Sequence, residues 1–78
     1  MRQKQPRLVV SFHTTAEAIA TESACRRLGL EGKLISVPRS VTSDCGLAWS
    51  APPELEARLR EVLAEGGVEP AGFHHLTV

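Results

Sequence analysis

The order of its short periodic segments restricts this chain more than anything else in it. Four brief apolar runs alternate with two stretches of helical periodicity, in the order β-α-β-β-α-β. The first run, Arg7 to Phe12, puts Leu8, Val10 and Phe12 on one side and Val9 and Ser11 on the other. Thr14-Thr15-Ala16-Glu17 then has the form of a capping box, with Thr14 accepting at the helix start and Glu17 reaching back. Ala16, Ala20, Ala24 and Leu28 recur at i+4, with Ile19 and Ser23 filling the stripe, so this small-residue face is expected to lie on a sheet. Cys25 falls near Ala18 and Thr21, away from the stripe, and reads as a helix-flank residue. Gly29 followed by Leu30 has the pattern of a left-handed stop with its hydrophobic contact.

The second half repeats the alternation. Lys33 to Val37 is a strand that Pro38 ends, because proline cannot donate to a ladder. Arg39 to Cys45 is polar and reads as a loop, and Gly46 to Ser50 is a third strand with Leu47 and Trp49 on one face. Pro52-Pro53-Glu54 opens a second helix, where a missing N–H costs little. Leu55, Leu59, Val62 and Leu63 form its buried stripe, and Glu54–Arg58 and Glu56–Arg60 are favourable i, i+4 pairs on the wet side. Gly66-Gly67 stops it, and Phe73 to Val78 is the last strand.

This order predicts an α+β fold, the ferredoxin-like βαββαβ two-layer sandwich, with two helices on one face of a four-stranded antiparallel sheet. The usual strand order for that topology is 4-1-3-2. It brings the start of strand three beside the end of strand one, and so Cys45 close to His13, Thr14 and the N-terminus of the first helix.

Size and charge limit the function. The 78 residues make one domain, 1–78, with residues 1–6 expected to form a flexible N-terminal segment. A chain this short has one modest core and no room for the deep cleft of a large multi-step enzyme. Nine Lys and Arg balance nine Asp and Glu, and aromatics are 4% of the chain. Neither the basic face nor the stacking platform of a nucleic-acid binder is therefore expected. No run approaches a membrane span, and Leu8-Val9-Val10 is too short for the apolar region of a signal peptide. With only two cysteines and no CxxC pair, the chain is expected to be cytoplasmic with both thiols reduced.

The chemistry concentrates in Pro38-Arg39-Ser40-Val41-Thr42-Ser43-Asp44-Cys45-Gly46. A cysteine followed by glycine in a polar loop is open to approach, and the thiolate is the reactive form of sulfur. Arg39, the first helix's positive end and His13 can favour that form, whereas Asp44 opposes it. The plainer reading of Cys45 is a small apolar residue at a strand start. His13, Cys45, His74 and His75 contain metal-ligand types, yet His74 and His75 alternate across a strand and no short ligand spacing occurs, so neither metal nor cofactor is expected. Glu22 reads as a solvated residue paired with Arg26. No spacing joins Ser11 or Ser43 to a histidine in a hydrolase arrangement.

Phe12 with Thr14, Thr15, Ala16 and Glu22, then Leu34-Ile35-Ser36-Val37-Pro38-Arg39, then Ser43-Asp44-Cys45-Gly46-Leu47-Ala48, resembles the small family of selenium/sulfur carrier protein-like domains. The most specific element is Pro-Arg, a short polar spacer, and Ser-x-Cys-Gly. The resemblance implies that Cys45 is a carrier thiol in a loop shaped by Pro38, Arg39 and Gly46, which also contains Ser43 and Asp44, and it matches Glu22 to a glutamate of the family. His13 and Thr14 are expected neighbours from the strand order. The resemblance also implies a sulfur or selenium donor protein, such as a cysteine desulfurase, and an acceptor protein. Such a carrier holds a persulfide, or its selenium analogue, and needs no substrate cleft. Two rivals remain at this point. One is a non-catalytic small-ligand or protein-binding module of the same fold, which can be a homodimer; the other is a redox-sensing thiol.

Overall fold

The computed structural model describes residues 5–39, 41 and 45–77. The elements follow the expected order: β1 (Pro6–Ser11), α1 (Thr15–Leu28), β2 (Lys33–Ser36), β3 (Leu47–Ala51), a 3₁₀ turn (Pro53–Leu55), α2 (Glu56–Glu65) and β4 (Gly72–Thr77). The strands form one antiparallel sheet in the order β2-β3-β1-β4, the order expected from the sequence. With both helices packed on one face, this is the α+β ferredoxin-like sandwich. Boundaries move by a residue or so, as strand ends commonly do. Pro6, assigned in the sequence to the N-terminal segment, opens β1 opposite Thr77. Val78 lies outside the described residues.

The local signals act through their hydrogen bonds. Thr14 Oγ1 accepts from the Glu17 N–H at 3.2 Å while Glu17 Oε1 accepts from the Thr14 N–H at 3.1 Å, which completes the capping box. At the other end of α1, Gly29 takes a left-handed conformation (φ 71°) and Leu30 N–H donates to Cys25 O at 2.8 Å. Leu30 then packs against the core, as this stop requires. Helix α2 ends the same way, with Gly67 left-handed, Val68 N–H donating to Leu63 O at 2.8 Å and Val68 against the core.

The core lies between sheet and helices. Leu8, Val10 and Phe12 from β1 and its exit, Trp49 and Ala51 from β3, Ala18 and Cys25 from α1, and Leu59 and Leu63 from α2 make one buried cluster. Val62 is also buried and Leu55 half-buried, so the expected α2 stripe holds. On its wet side Arg60 pairs with Glu56 at 2.7 Å, as expected, whereas Arg58 reaches Glu61 at 3.3 Å. Glu54 stands in the preceding 3₁₀ turn, out of α-helical phase with Arg58.

The buried face of α1 differs from the expected one. Ala18, Thr21 and Cys25 are buried, whereas Ala16 and Ala20 are exposed, and Ile19 and Leu28 are 53% and 43% exposed. Cys25 is therefore a core residue, not a flank residue. The cause is the alanine-rich composition, because an alanine tolerates either face and so does little to orient the helix. Thr21 can turn inward because its hydroxyl donates to Glu17 O at 2.9 Å within the helix.

Candidate functional site: the Pro38–Gly46 loop

The loop that joins β2 to β3 is closed at its feet. Val37 N–H donates to Gly46 O at 3.0 Å, extending the β2–β3 ladder by one pair beyond Ser36 and Leu47. Pro38 and Cys45 therefore start and end the loop side by side. Val41 N–H donates to Pro38 O at 2.9 Å, a tight turn with Arg39 exposed at its corner. Val41 itself is only 6% exposed. A lone valine in a polar stretch thus anchors the loop, and its apolar character among serine, threonine and aspartate is the signal that the sequence reading passed over. Ser43 and Asp44 lie outside the described residues.

Cys45 is half-buried and packs against the edge of the helix-side core, so one side of its sulfur is covered. Its Sγ accepts from the Leu47 N–H and donates to Leu47 O, both at 3.5 Å. The side chain thereby makes a turn with the backbone two residues on, the pattern short polar side chains use at loop ends. Gly46 makes this turn with φ +75°, and a Cβ there would meet nothing within 4 Å, so the strand start is open on that side. Both cysteines are reduced thiols.

The register places the other candidates. Ser11 stands opposite Ala48, so the chain leaves β1 at the end of the sheet where it enters β3. His13 and Thr14 follow β1 at that end, and Cys45 and Gly46 precede β3 there. His13 is exposed next to the fully buried Phe12. Thr14 is occupied by the capping box, which sets the Glu17 carboxylate at the positive end of α1. That end is thus already matched to a negative group, and the Leu47 amide is a donor to the Cys45 sulfur. Glu22 lies about two helical turns further along α1 and pairs with Arg26 at 3.3 Å, the partner expected from the sequence.

The histidines of β4 separate as their alternation requires. His75, opposite Leu8, faces the helices and meets Glu56 Oε1 at 2.9 Å; Glu56 also binds Arg60, whose guanidinium lies 3.9 Å from the centroid of Phe73. Those partners hold the Glu56 carboxyl below its ordinary value, the Arg60 hydrogen bond contributing most. His74, opposite Val9, faces the open side, with Nε2 3.3 Å from Ser11 Oγ. This Ser–His contact escaped the sequence reading because the two lie 63 positions apart. Ser11 is 1% exposed, so the contact offers no accessible nucleophile. Among the described residues, no three His, Cys, Asp or Glu side chains are grouped to hold a metal ion. Among them, too, no helix is long and apolar enough to cross a membrane.

The family model described as "Putative Se/S carrier protein-like" matches residues 7–75. No curated protein matches the sequence significantly. The matched span runs from β1 through the Pro38–Gly46 loop to His75 in β4, nearly the whole of the 78 residues, and the chain belongs to this Se/S carrier protein-like family.

Proposed function

We infer that Cys45 is a carrier thiol, holding sulfur or selenium as a persulfide or its selenium analogue between a donor and an acceptor protein. The observation that carries this reading is the setting of the Cys45 sulfur: half-buried at a loop foot, beside an open glycine, with the Leu47 N–H aimed at it from 3.5 Å. In the loading step the Cys45 thiolate attacks the terminal sulfur of a donor persulfide. The donor S–S bond breaks, its electron pair leaves on the donor thiolate, and Cys45 retains the sulfur as S–SH. In delivery an acceptor thiolate attacks that terminal sulfur, and the Cys45 thiolate is the leaving group. Neither step consumes an external oxidant or reductant.

The Leu47 amide is a fixed donor for the anionic sulfur that each delivery returns. Arg39, exposed at the corner of the turn, supplies positive charge for docking the donor. Pro38 and Gly46 set the feet of the loop, and Ser43 and Asp44 complete the polar segment between them. His13 and Thr14 border the same end of the sheet. A cysteine desulfurase fits the donor role because it presents sulfur as a persulfide.

Intact mass after incubation with a cysteine desulfurase and cysteine tests the reading. A gain of ~32 Da that dithiothreitol removes is expected, since a persulfide is reducible and a sulfinic or sulfonic oxygen adduct is not. Cys45→Ser should abolish the gain and Cys25→Ser should keep it. Arg39→Ala should slow loading without loss of the fold. Loading on Cys25→Ser equal to that on Cys45→Ser would remove Cys45 from the role.

A further inference from the structure

The two edges of the sheet are built differently. Edge strand β2 is four residues long, begins with Lys33 and is followed by Pro38, features that discourage strand addition. Edge strand β4 is six residues long, Gly72-Phe73-His74-His75-Leu76-Thr77, with no Lys, Arg, Asp, Glu or Pro. Among the described residues only β1 pairs with it.

The hydrogen-bond phase of β4 follows from the other edge. The Val37 to Gly46 bond means that Gly46, and with it Ala48 and Ser50, direct their backbone groups towards β2. Leu47, Trp49 and Ala51 then face β1, so Leu8 and Val10 face β3, and Arg7, Val9 and Ser11 face β4. Their partners Leu76, His74 and Gly72 spend their amides on β1. The bond from Ala71 N–H to Ser11 O at 2.8 Å agrees, because it shows the Ser11 carbonyl directed to the β4 side. The N–H and C=O groups of Phe73, His75 and Thr77 therefore point outward, a set symmetric about His75.

We propose that β4 pairs antiparallel with β4 of a second copy of this chain, His75 opposite His75, to make one continuous eight-stranded sheet. A two-fold axis through His75 matches every outward donor to an acceptor: two bonds at the His75 pair and two at each Phe73–Thr77 pair. No other register consistent with side-chain parity uses all three outward residues. It sets Phe73 opposite Thr77 on the helix side and His74 opposite Leu76 on the open side, and brings no Lys, Arg, Asp or Glu of the strand against its like. Pro38, Arg39, Cys45 and Gly46 stand at the end of β2 and β3, across the sheet from the β4 edge, so the pairing does not cover them.

The backbone, not the imidazole, makes this interface, and two substitutions at one position separate them. Sedimentation equilibrium should give a dimer for the wild type and for His75→Ala, which keeps the amide. His75→Pro removes an amide that the monomer does not use, on the outward side where an edge strand accepts proline. It should keep the wild-type far-UV circular dichroism and weaken the dimer at least about tenfold, through loss of two backbone hydrogen bonds. In the wild type, exchange of the Phe73, His75 and Thr77 amides should slow as concentration rises, whereas those of Gly72, His74 and Leu76 stay protected throughout. A chain monomeric at every concentration, a dimer whose three outward amides exchange freely, an unweakened His75→Pro dimer, or a β4 edge that binds only foreign strands would each overturn the proposal.

Discussion

Cys25 and Cys45 bring the same thiol into opposite surroundings. Cys25 lies on the sheet side of α1, fully buried, and burial raises its pKa above the ordinary thiol value. Its backbone is committed too, since its carbonyl accepts the Leu30 N–H that ends the helix. Cys45 stands where a strand begins, half-covered by the core, with its sulfur engaged by Leu47 and a glycine of positive φ beside it. The same side chain thus fills core volume in one place and borders a loop in the other, a difference set by environment. In the helix the residue is fully buried; at the loop foot it is half-buried.

The largest expected effect tests that contrast directly. Under native conditions iodoacetamide should modify Cys45 at least about a hundredfold faster than Cys25, because Cys25 reacts only when α1 opens from the sheet. Peptide mapping after short exposures gives both rates, and comparable rates would break the comparison. In urea the two should converge, which separates structural protection from any intrinsic difference between the thiols.

Each region also contains a glycine of positive φ, and the two should respond unequally to the same methyl group. At Gly32 a Cβ would come within 2.6 Å of the Trp49 indole in the core. The ring cannot retreat without disturbing the packed side chains around it, so Gly32→Ala should cost ~2–3 kcal/mol by urea denaturation. At Gly46 a Cβ meets nothing within 4 Å, and only the left-handed backbone (φ +75°) opposes it. Gly46→Ala should therefore cost about 1 kcal/mol. Equal losses would mean that the loop foot is packed as tightly as the core.

Legibility in the sequence followed the strength of local chemistry. The capping box at Thr14 and Glu17 and the glycine stops at Gly29 and Gly67 each rest on a specific backbone requirement, and each formed as expected. The β1 alternation correctly placed Leu8, Val10 and Phe12 in the core. The orientation of α1 was not legible, because alanines at 16, 18, 20 and 24 give its faces nearly equal claims. Thr21 concealed its burial by satisfying its hydroxyl inside the helix. Cys45 stood out in sequence as a thiol beside glycine. The Val37–Gly46 closure, the Val41 anchor and the Leu47 amide at the sulfur depend on how the loop folds back. The Ser11–His74 contact and the outward amides of β4 belong to the register of paired strands, which the order of segments alone does not specify.

The smallest expected effect is a pH dependence carried by one cysteine. Burial makes the Cys25 thiol harder to ionise in the folded protein than in the unfolded chain. Below the unfolded value both states hold the proton, and the contribution to stability is constant. As pH rises above ~8.5 the unfolded chain releases the proton first, so unfolding is favoured until the folded thiol also ionises. The free energy of unfolding should fall with pH in that window, for protein kept reduced. The chain has no tyrosine, so no phenol titrates alongside the thiols. Cys25→Ala should flatten the decline. A decline that Cys25→Ala leaves unchanged would mean that the buried thiol is not its source.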